Sequence, residues 1–351
     1  MGIEALLIEK TILVAVVFVV TLGIAAYSTY GERKIAAFFQ DRIGPNKAGP
    51  FGLLQPLADG LKMLMKEDFT PVQSNRFLFQ IAPGLSMLTA LMVSAVIPWG
   101  NTLQIGGREI ALQATDINIG ILYILGVVSL GVYGIMIGGW SSNNKFALLG
   151  ALRASSQMIS YELPMGLSLI ALLMVTGTMS FGEIAAQQSG WNGMQWNIIY
   201  QPLGFVIFLV CAFAEANRTP FDLPECEAEL VGGYHTEYSS MKLGFFLFAE
   251  YTHMFVSSAI ISTLYFGGYN FPGIGSLYEI LPHNVVTLLG VAALFAKTLF
   301  FIFLFMWVRW TIPRFRYDQL MNLGWKMLVP LAIVNIIITA AVVLFADGQI
   351  I

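Results

Sequence analysis

The sequence NIGILYILGVVSLGVYGIMIGG, residues 118–139, runs for 22 residues without a charged side chain. A helix needs roughly 20 mainly apolar residues to cross the hydrocarbon core of a bilayer, so this stretch predicts a transmembrane helix. Gly134 and Gly138 within it have the GxxxG spacing that lets a neighbouring helix pack closely. We therefore expect the chain to fold around membrane-spanning helices.

The whole chain has the composition of an integral membrane protein. Of its 351 residues, 57% are hydrophobic and only 11% are charged, and the mean hydropathy is +0.73. Soluble proteins carry about 25% charged residues, so this chain lacks the polar residues to cover a surface in water. A disordered protein, a nucleic-acid-binding protein and a soluble enzyme are excluded. Cys211 and Cys226 are too few for a disulfide framework, and no ligand spacing indicates a metal site.

Eight stretches of the chain are long and apolar enough to cross a bilayer. The first is interpreted as a transmembrane helix and not as a signal peptide, because the N-terminus opens with Glu4 and Glu9 instead of a basic region and no convincing cleavage site follows. No linker or internal repeat divides the chain, so residues 1–351 are predicted to form one all-α transmembrane domain of about eight helices. The predicted spans lie near 11–30, 76–99, 118–139, 150–177, 198–215, 241–268, 286–308 and 328–346.

The basic residues predict the orientation of these spans. Lys10 and Arg108 lie on one side of the membrane, and Lys297 lies inside a span, whereas the other 15 of the 18 basic residues fall in alternate loops. The positive-inside rule assigns those alternate loops to the cytoplasm, so both termini are expected on the outer side. The 15 residues are Arg33, Lys34, Arg42, Lys47, Lys62, Lys66, Arg76, Lys145, Arg153, Arg218, Lys242, Arg309, Arg314, Arg316 and Lys326.

The first predicted cytoplasmic loop contains an amphipathic segment. Leu54, Leu57, Leu61 and Leu64 follow one another at steps of three, four and three residues, which is the spacing of one helical face. A helix over about 52–65 would lie along the membrane interface. The alternative is a short connecting helix with no further role, but the turn-rich sequence RIGPNKAGP at 42–50 favours a defined backbone before it.

Carboxylates are concentrated in one part of the chain and also occur inside apolar spans. An ionised side chain at the centre of a span costs from about 3 to over 10 kcal/mol, so such residues face a protein interior or a water-filled cavity. Several of these glutamates could therefore take up protons near neutral pH. The alternative for the loop members is a solvated acidic loop. The candidates are Glu162, Glu215, Asp222, Glu225, Glu227, Glu229, Glu237 and Glu250.

Two further polar residues lie inside predicted spans, and the sequence leaves their roles open. His253 follows Glu250 by three residues, so it belongs to the same helical face or is simply a packed core histidine. Lys297 is either a member of a proton path or the structural partner of a carboxylate. The chain has no dinucleotide fingerprint, phosphate-binding loop or nucleophile–base pair. Any electron carrier must therefore reside in another protein, and we expect no cofactor and no metal in this chain.

Two long motifs resemble the H-subunit family of the NADH-quinone oxidoreductases, whose mitochondrial counterpart is NADH dehydrogenase subunit 1. The first is Glu32-Arg-Lys34 with QDRIGPNKAGPFGLLQPLADGLKMLMKED at 40–68. The second is AEANRTPFDLPECEAELVGGYHTEY at 214–238, which continues into FAEY at 248–251. The plan of eight spans with both termini outside extends the resemblance over the whole chain.

This resemblance implies a membrane subunit of respiratory complex I that forms the entrance of the quinone chamber. Residues 11–30 and about 52–65 would line the opening, and Arg33, Arg42 and Asp59 stand in the matching motif. Arg218 would hold one or more of the candidate carboxylates. The resemblance further implies quinone as substrate, small membrane subunits as neighbours, and NADH, FMN and iron–sulfur clusters in partner subunits of the peripheral arm. The sequence itself favours a bacterial inner membrane over the mitochondrial one.

The residues and the resemblance together predict how the protein works. Quinone reduction changes the protonation of nearby glutamates, and the change passes along a polar path to proton-pumping subunits. Glu162, Glu215 and Glu250 would be relay members, and Glu225, Glu227, Glu229 and Glu237 would sense the chamber. The alternatives are a membrane anchor of an energy-converting hydrogenase, an independent ion-coupled transporter and a purely structural anchor.

Overall fold

The computed structural model describes residues 3–224 and 230–347 as a bundle of long helices. In these residues, seven helices are long and apolar enough to cross a membrane, which confirms an all-α membrane protein. Their spanning ranges are Leu7–Phe39, Arg76–Ser94, Gly120–Ser141, Lys145–Thr176, Ser240–Tyr265, His283–Thr311 and Tyr317–Phe345. In chain order the helices are α1 Ile3–Phe39, α2 Gln55–Met65, α3 Arg76–Ser94, α4 Gly120–Ser141, α5 Lys145–Thr176, α6 Phe181–Gln187, α7 Gly190–Gly193, α8 Asn197–Tyr200, α9 Pro202–Glu215, α10 Ser240–Tyr265, α11 Ile274–Ile280, α12 His283–Thr311, α13 Tyr317–Asn322 and α14 Val329–Asp347.

The stretch 198–215 does not form the single spanning helix that the sequence predicts. It is divided into α8 and α9, and the 14 residues of α9 extend about 21 Å, less than the hydrocarbon thickness of about 30 Å. Gln201 separates the two helices in a non-helical conformation, and Pro202 opens the second one. The Gln201 side chain is buried and hydrogen-bonds to Asn335 and Thr339 of α14. This polar junction explains why the apolar run does not form one continuous helix.

Close packing of α3 against α4 follows the predicted glycine spacing. A Cβ atom added at Gly134 would lie 2.3 Å from the Ser86 hydroxyl oxygen, so only glycine permits this approach. A Cβ atom at Gly138 would lie 3.0 Å from the Phe246 ring of α10. Both glycines of α4 therefore lie in helix–helix contacts, as their spacing predicts.

The amphipathic segment forms α2, as the leucine spacing predicts. Leu57, Leu61 and Leu64 remain more than half exposed, so the part of the chain that the structure describes does not cover the apolar face of α2. The end of α2 is tied to α10, because Ser240 donates a hydrogen bond to the carbonyl of Met63 at 3.0 Å. Before α2, the backbone of Gly52 has φ +84°, and a Cβ atom there would collide with the carbonyl of Pro45.

A β-hairpin that was not predicted from the sequence connects α3 to α4. Strand β1, Thr102–Ile105, pairs antiparallel with β2, Arg108–Ala111. Gly106 and Gly107 form the two-residue turn with φ +58° and +75°, the conformation that favours glycine in a hairpin of this type. The alternation TLQIGGREIA around these glycines was the signal for it. Asn284 at the start of α12 hydrogen-bonds to both backbone groups of Gln104 at 2.7 Å.

The helix ends form two chemically different sides of the bundle. At one side, here called the basic end, the loops that carry most of the Lys and Arg residues meet. Lys242 pairs there with Asp68 at 3.0 Å, and Arg314 pairs with Asp222 at 3.0 Å. The other side contains the β-hairpin and is called the hairpin end. The candidate site lies toward the basic end.

Candidate functional site

Glu32 of α1 is the centre of a buried ionic cluster at the basic end. Its carboxylate accepts from Arg218 at 3.0 Å, from Arg309 of α12 at 2.6 Å and from the Tyr251 hydroxyl of α10 at 2.9 Å. The Arg218 guanidinium also stacks over the Tyr251 ring, 4.0 Å from its centroid. These four residues, named the Glu32 cluster, join three helices and the loop that follows α9.

Arg218 is a fixed positive charge in this cluster. Its side chain is 4% exposed, and burial alone would lower its pKa. Interactions with the Tyr251 side chain and with the carboxylates of Glu32 and Glu250 outweigh burial and raise the pKa of Arg218 above its ordinary value. A buried charge with such partners stays ionised.

Arg218 has an ion-pair partner that the sequence analysis did not name. The sequence predicts that Arg218 holds one or more of the candidate carboxylates; the charge of one of them, Glu250, acts on Arg218, and the ion pair at 3.0 Å is with Glu32. Glu32 belongs to the first motif but is not among the predicted site residues. The two residues lie 186 positions apart, and no spacing rule connects them. The available signal was a lone glutamate near the end of the first apolar run.

An apolar pocket of about 300 Å³ opens between α1, α2 and α10 next to the Glu32 cluster. Arg33 and Asp59 lie in its wall and form an ion pair at 2.7 Å. Tyr251 also lines the pocket and donates its hydroxyl to Glu32. The pocket wall is therefore connected directly to the ionic cluster. The remaining lining residues are Ala26, Thr29, Pro56, Gly60, Met63, Leu64, Met241, Gly244, Leu247 and Phe248.

Glu215, the last residue of α9, is buried without a hydrogen-bond partner. Its side chain is 3% exposed, and neither carboxylate oxygen has a partner among the described residues. It lies between two small cavities of about 20 Å³ each. A cavity of this volume has room for about one water molecule. Glu250 and His253 of α10 line the first cavity with Glu215, and Ser257 lines the second.

Glu162 of α5 is the next carboxylate in this region. One of its oxygens accepts a hydrogen bond from Ser129 at 3.1 Å, and the other has no partner among the described residues. Its charge acts on Glu215. Glu250 accepts from Tyr234 at 3.4 Å. The structure thus brings the three predicted relay members, Glu162, Glu215 and Glu250, into one region.

Comparisons with known proteins identify the family. The sequence model of the family described as NADH dehydrogenase matches residues 11–340. The chain belongs to the H-subunit family of the NADH-quinone oxidoreductases. The H subunit 1 of this enzyme from Cytophaga hutchinsonii is 67% identical, over 96% of this chain and 97% of that protein. The H subunit from Flavobacterium johnsoniae and the H subunit 1 from Geobacter metallireducens are 65% and 49% identical, over 98% and 93% of this chain and 97% and 94% of theirs.

The other acidic candidates of this NADH-quinone oxidoreductase family member occupy varied positions. Asp222 pairs with Arg314 and is buried. Glu237, just before α10, accepts a hydrogen bond at 2.6 Å from the side-chain amide of Asn144, which lies between α4 and α5. Arg42 donates to Gln40 at 2.7 Å on the exposed surface and does not line the apolar pocket. Glu225, Glu227 and Glu229 lie outside the described residues.

Lys297 of α12 binds backbone carbonyls, a set of contacts that the sequence analysis did not predict. Its ammonium group donates to the backbone carbonyls of Phe266 at 2.7 Å and Gly268 at 2.9 Å, and also to that of Asn270. It lies over the Trp196 ring, 5.0 Å from the centroid. Among the described residues it has no carboxylate partner. A cation in this position stabilises the C-terminal end of α10 and the turn behind it.

Proposed function

We propose that this chain forms the entrance and outer part of the quinone-binding chamber of a proton-pumping NADH:quinone oxidoreductase. In this proposal the chain couples quinone reduction to proton translocation through its buried glutamates. NADH, FMN and iron–sulfur clusters belong to partner subunits, and the peripheral arm docks on the basic end. The basic end faces the cytoplasm of a bacterial cell, both termini face outward, and the membrane is the inner membrane.

The observation that carries the proposal is the position of Tyr251. Its side chain lines the apolar pocket, and its hydroxyl donates to Glu32 at 2.9 Å. A lipophilic head group in the pocket would therefore meet a polar group connected to a buried ionic cluster. Sites for small molecules commonly combine an apolar wall with few polar groups that fix orientation.

A series of electrostatically coupled residues leads from this cluster toward the middle of the bundle. The charge of Glu250 acts on Arg218, and Glu250 shares a cavity with Glu215. Glu215 is within electrostatic range of Glu162. A carboxylate buried without a partner can accept a proton at lower cost than it can hold a charge. Water molecules in the two small cavities would connect Glu215 to its neighbours in both directions.

The surface of the basic end supports docking of the peripheral arm there. Ile43, Phe51, Met65 and Val72 are each at least 80% exposed in the loops at this end. Large apolar side chains exposed together on a polar surface mark a protein or membrane contact. In this proposal they contact partner subunits or the membrane interface.

The chamber is tested by filling the pocket in the intact complex. Gly60 of α2 lines the pocket, and a Cβ atom added there meets nothing within 4 Å. Gly60→Phe keeps helical geometry, because phenylalanine favours a helix more than glycine does, and places a ring in the pocket. We expect the KM for quinone to rise roughly tenfold, which corresponds to about 1.4 kcal/mol.

The matched control is Gly84→Phe on α3, where an added Cβ atom also meets nothing within 4 Å and which does not line the pocket. Both variants are assayed for electron transfer from NADH to quinone and to a water-soluble acceptor. An unchanged KM for quinone in Gly60→Phe, or an equal change in both variants, would contradict the proposed chamber.

A further inference from the structure

An entirely apolar groove of about 210 Å³ lies on the opposite half of the bundle from the pocket near Tyr251. Four residues of α1 form one wall, at spacings that put them on one face of the helix. The other wall comes from the segment that flanks the β-hairpin and from α12. The lining residues are Leu13, Val16, Val17, Val20, Trp99, Leu112, Val291 and Phe295.

Stacked aromatic rings close the base of the groove. Trp99 is only 7% exposed, and its ring stacks between Phe255 and Phe295, with ring centroids 5.6 and 5.5 Å apart. Gly100 keeps the opposite wall close, because a Cβ atom there would lie 2.8 Å from both Leu112 and Val291. An apolar cavity of about 150 Å³ lined by such residues stays dry and binds hydrocarbon. This groove is larger, and its lining is apolar throughout.

A cation lies at the outer end of the groove. Lys10 precedes Leu13 by one helical turn, about 4.5 Å along α1, and lies on the same face. Its ammonium group donates to the carbonyl of Gln113 at 3.0 Å, next to Leu112 of the groove wall. Among the described residues no carboxylate lies within ion-pair distance of Lys10. Two of its three donors are therefore available for an anionic group from outside the chain.

We propose that this groove and Lys10 form a glycerophospholipid site. One acyl chain would occupy the groove between α1 and α12, and the phosphodiester would bind the Lys10 ammonium. The charge complementarity selects this ligand, because the phosphodiester binds the Lys10 ammonium electrostatically, whereas a hydrocarbon without a charged group has no such interaction with it. The site would hold α1, α12 and the hairpin together at the hairpin end, and it is independent of the proposed quinone chamber.

Photolabelling of the complete complex tests the site. The complex is reconstituted into vesicles of phosphatidylethanolamine and phosphatidylglycerol that contain phosphatidylglycerol with a diazirine in one acyl chain. After illumination, lipid adducts are quantified by mass spectrometry on the peptides that contain Trp99 and Val291. We expect these peptides to be labelled in the wild-type complex.

Val16→Phe fills the groove, whereas Val19→Phe adds the same ring outside it. Val16 is 55% exposed and Val19 is 70% exposed, so neither substitution disturbs the buried core. We expect Val16→Phe to reduce labelling at the two peptides roughly tenfold, since added bulk is poorly tolerated in a filled groove. Labelling in Val19→Phe should equal that of the wild type.

The head-group contact is tested at Lys10. Lys10→Gln should lower labelling about fivefold, the worth of one lysine beside an anionic lipid surface, and Lys10→Arg should retain it. A diazirine-bearing long-chain alcohol without phosphate is the control probe and should label the groove weakly in all variants. Equal labelling of wild type and Val16→Phe would overturn the site, as would labelling that ignores Lys10→Gln or a strong signal from the alcohol probe.

Discussion

Glu32 and Glu215 are two buried carboxylates toward the same end of the bundle with opposite surroundings. Glu32 is 5% exposed and Glu215 is 3% exposed. Glu32 accepts hydrogen bonds from two arginines and a tyrosine, whereas Glu215 has no hydrogen-bond partner among the described residues. Burial alone therefore does not distinguish Glu32 from Glu215, the residue for which we propose proton exchange. The set of partners does.

The energetic consequences of the two arrangements also differ. A buried ion pair repays its desolvation only with good geometry, and removing one partner leaves a costly uncompensated charge. Loss of the Glu32 charge would therefore leave Arg218 without its ion-pair partner. Glu215 has no hydrogen-bond partner among the described residues, so the proposed uptake of a proton would break no hydrogen bond to its carboxylate. Substitutions at and around the two residues should therefore differ in cost, from several kcal/mol to almost none.

The same substitution at the two positions should give very different stabilities. Glu32→Gln removes the ion-pair partner of the buried Arg218 guanidinium and should cost about 3–5 kcal/mol, enough to deplete the assembled complex. Glu215→Gln exchanges one unpaired group for a neutral one of similar shape and should change stability by less than about 1 kcal/mol. Blue-native gels and thermal midpoints of the solubilised complex measure both. Similar losses in the two variants would remove the distinction.

Replacing Arg309 should destabilise the complex less than replacing Glu32, because Glu32 would keep Arg218 and Tyr251 as partners. Arg309 is 25% exposed and binds the other carboxylate oxygen at 2.6 Å. Arg309→Gln should destabilise the complex by about 2 kcal/mol, as expected for a hydrogen bond to a charged group. The exposed pair Arg316–Asp318 is the control, and Arg316→Gln should cost less than about 1 kcal/mol. If both arginine variants have the same thermal midpoint, the buried contact of Arg309 with Glu32 contributes no more stability than the exposed pair.

Ser129 offers the finest test, since it gives Glu162 the side-chain partner that Glu215 lacks. Ser129→Ala removes a hydroxyl that lies 3.1 Å from the Glu162 carboxylate and 2.9 Å from the carbonyl of Leu125 in its own helix, and the loss of the contact with Glu162 should cost about 1 kcal/mol. Ser156→Ala is the matched control, because the Ser156 hydroxyl donates to the carbonyl of Leu152 within its own helix. The thermal midpoint should fall for Ser129→Ala and stay constant for Ser156→Ala. The reverse order would mean that Glu162 gains nothing from this bond.

Periodicity and composition were sufficient for the fold class and for most of the spans. The steps between Leu54 and Leu64 predicted α2 because helix faces repeat every three to four residues. The break at Gln201 was missed because its cause is a contact with α14, more than 130 residues away in the chain. The β-hairpin was missed although the two glycines at 106 and 107 marked its turn.

The candidate carboxylates could be selected from the sequence, but their contacts could not. Glu162, Glu215 and Glu250 stand out because charged residues inside apolar spans are costly and rare, and their relay role stays a prediction. The pairing of Glu32 with Arg218 and the carbonyl contacts of Lys297 were not identifiable. Both depend on which helices become neighbours, and a single sequence contains no rule for that.

The central claim is that Glu215 exchanges protons during quinone reduction, and the number of protons translocated per NADH tests it most directly. Complexes with Glu215→Gln or with the exposed control Glu279→Gln are reconstituted in vesicles and compared with the wild type. We predict normal assembly of Glu215→Gln with quinone-linked proton pumping lowered at least about tenfold, and an unchanged Glu279→Gln. Normal assembly of Glu215→Gln with full quinone reduction and full pumping would contradict the claim.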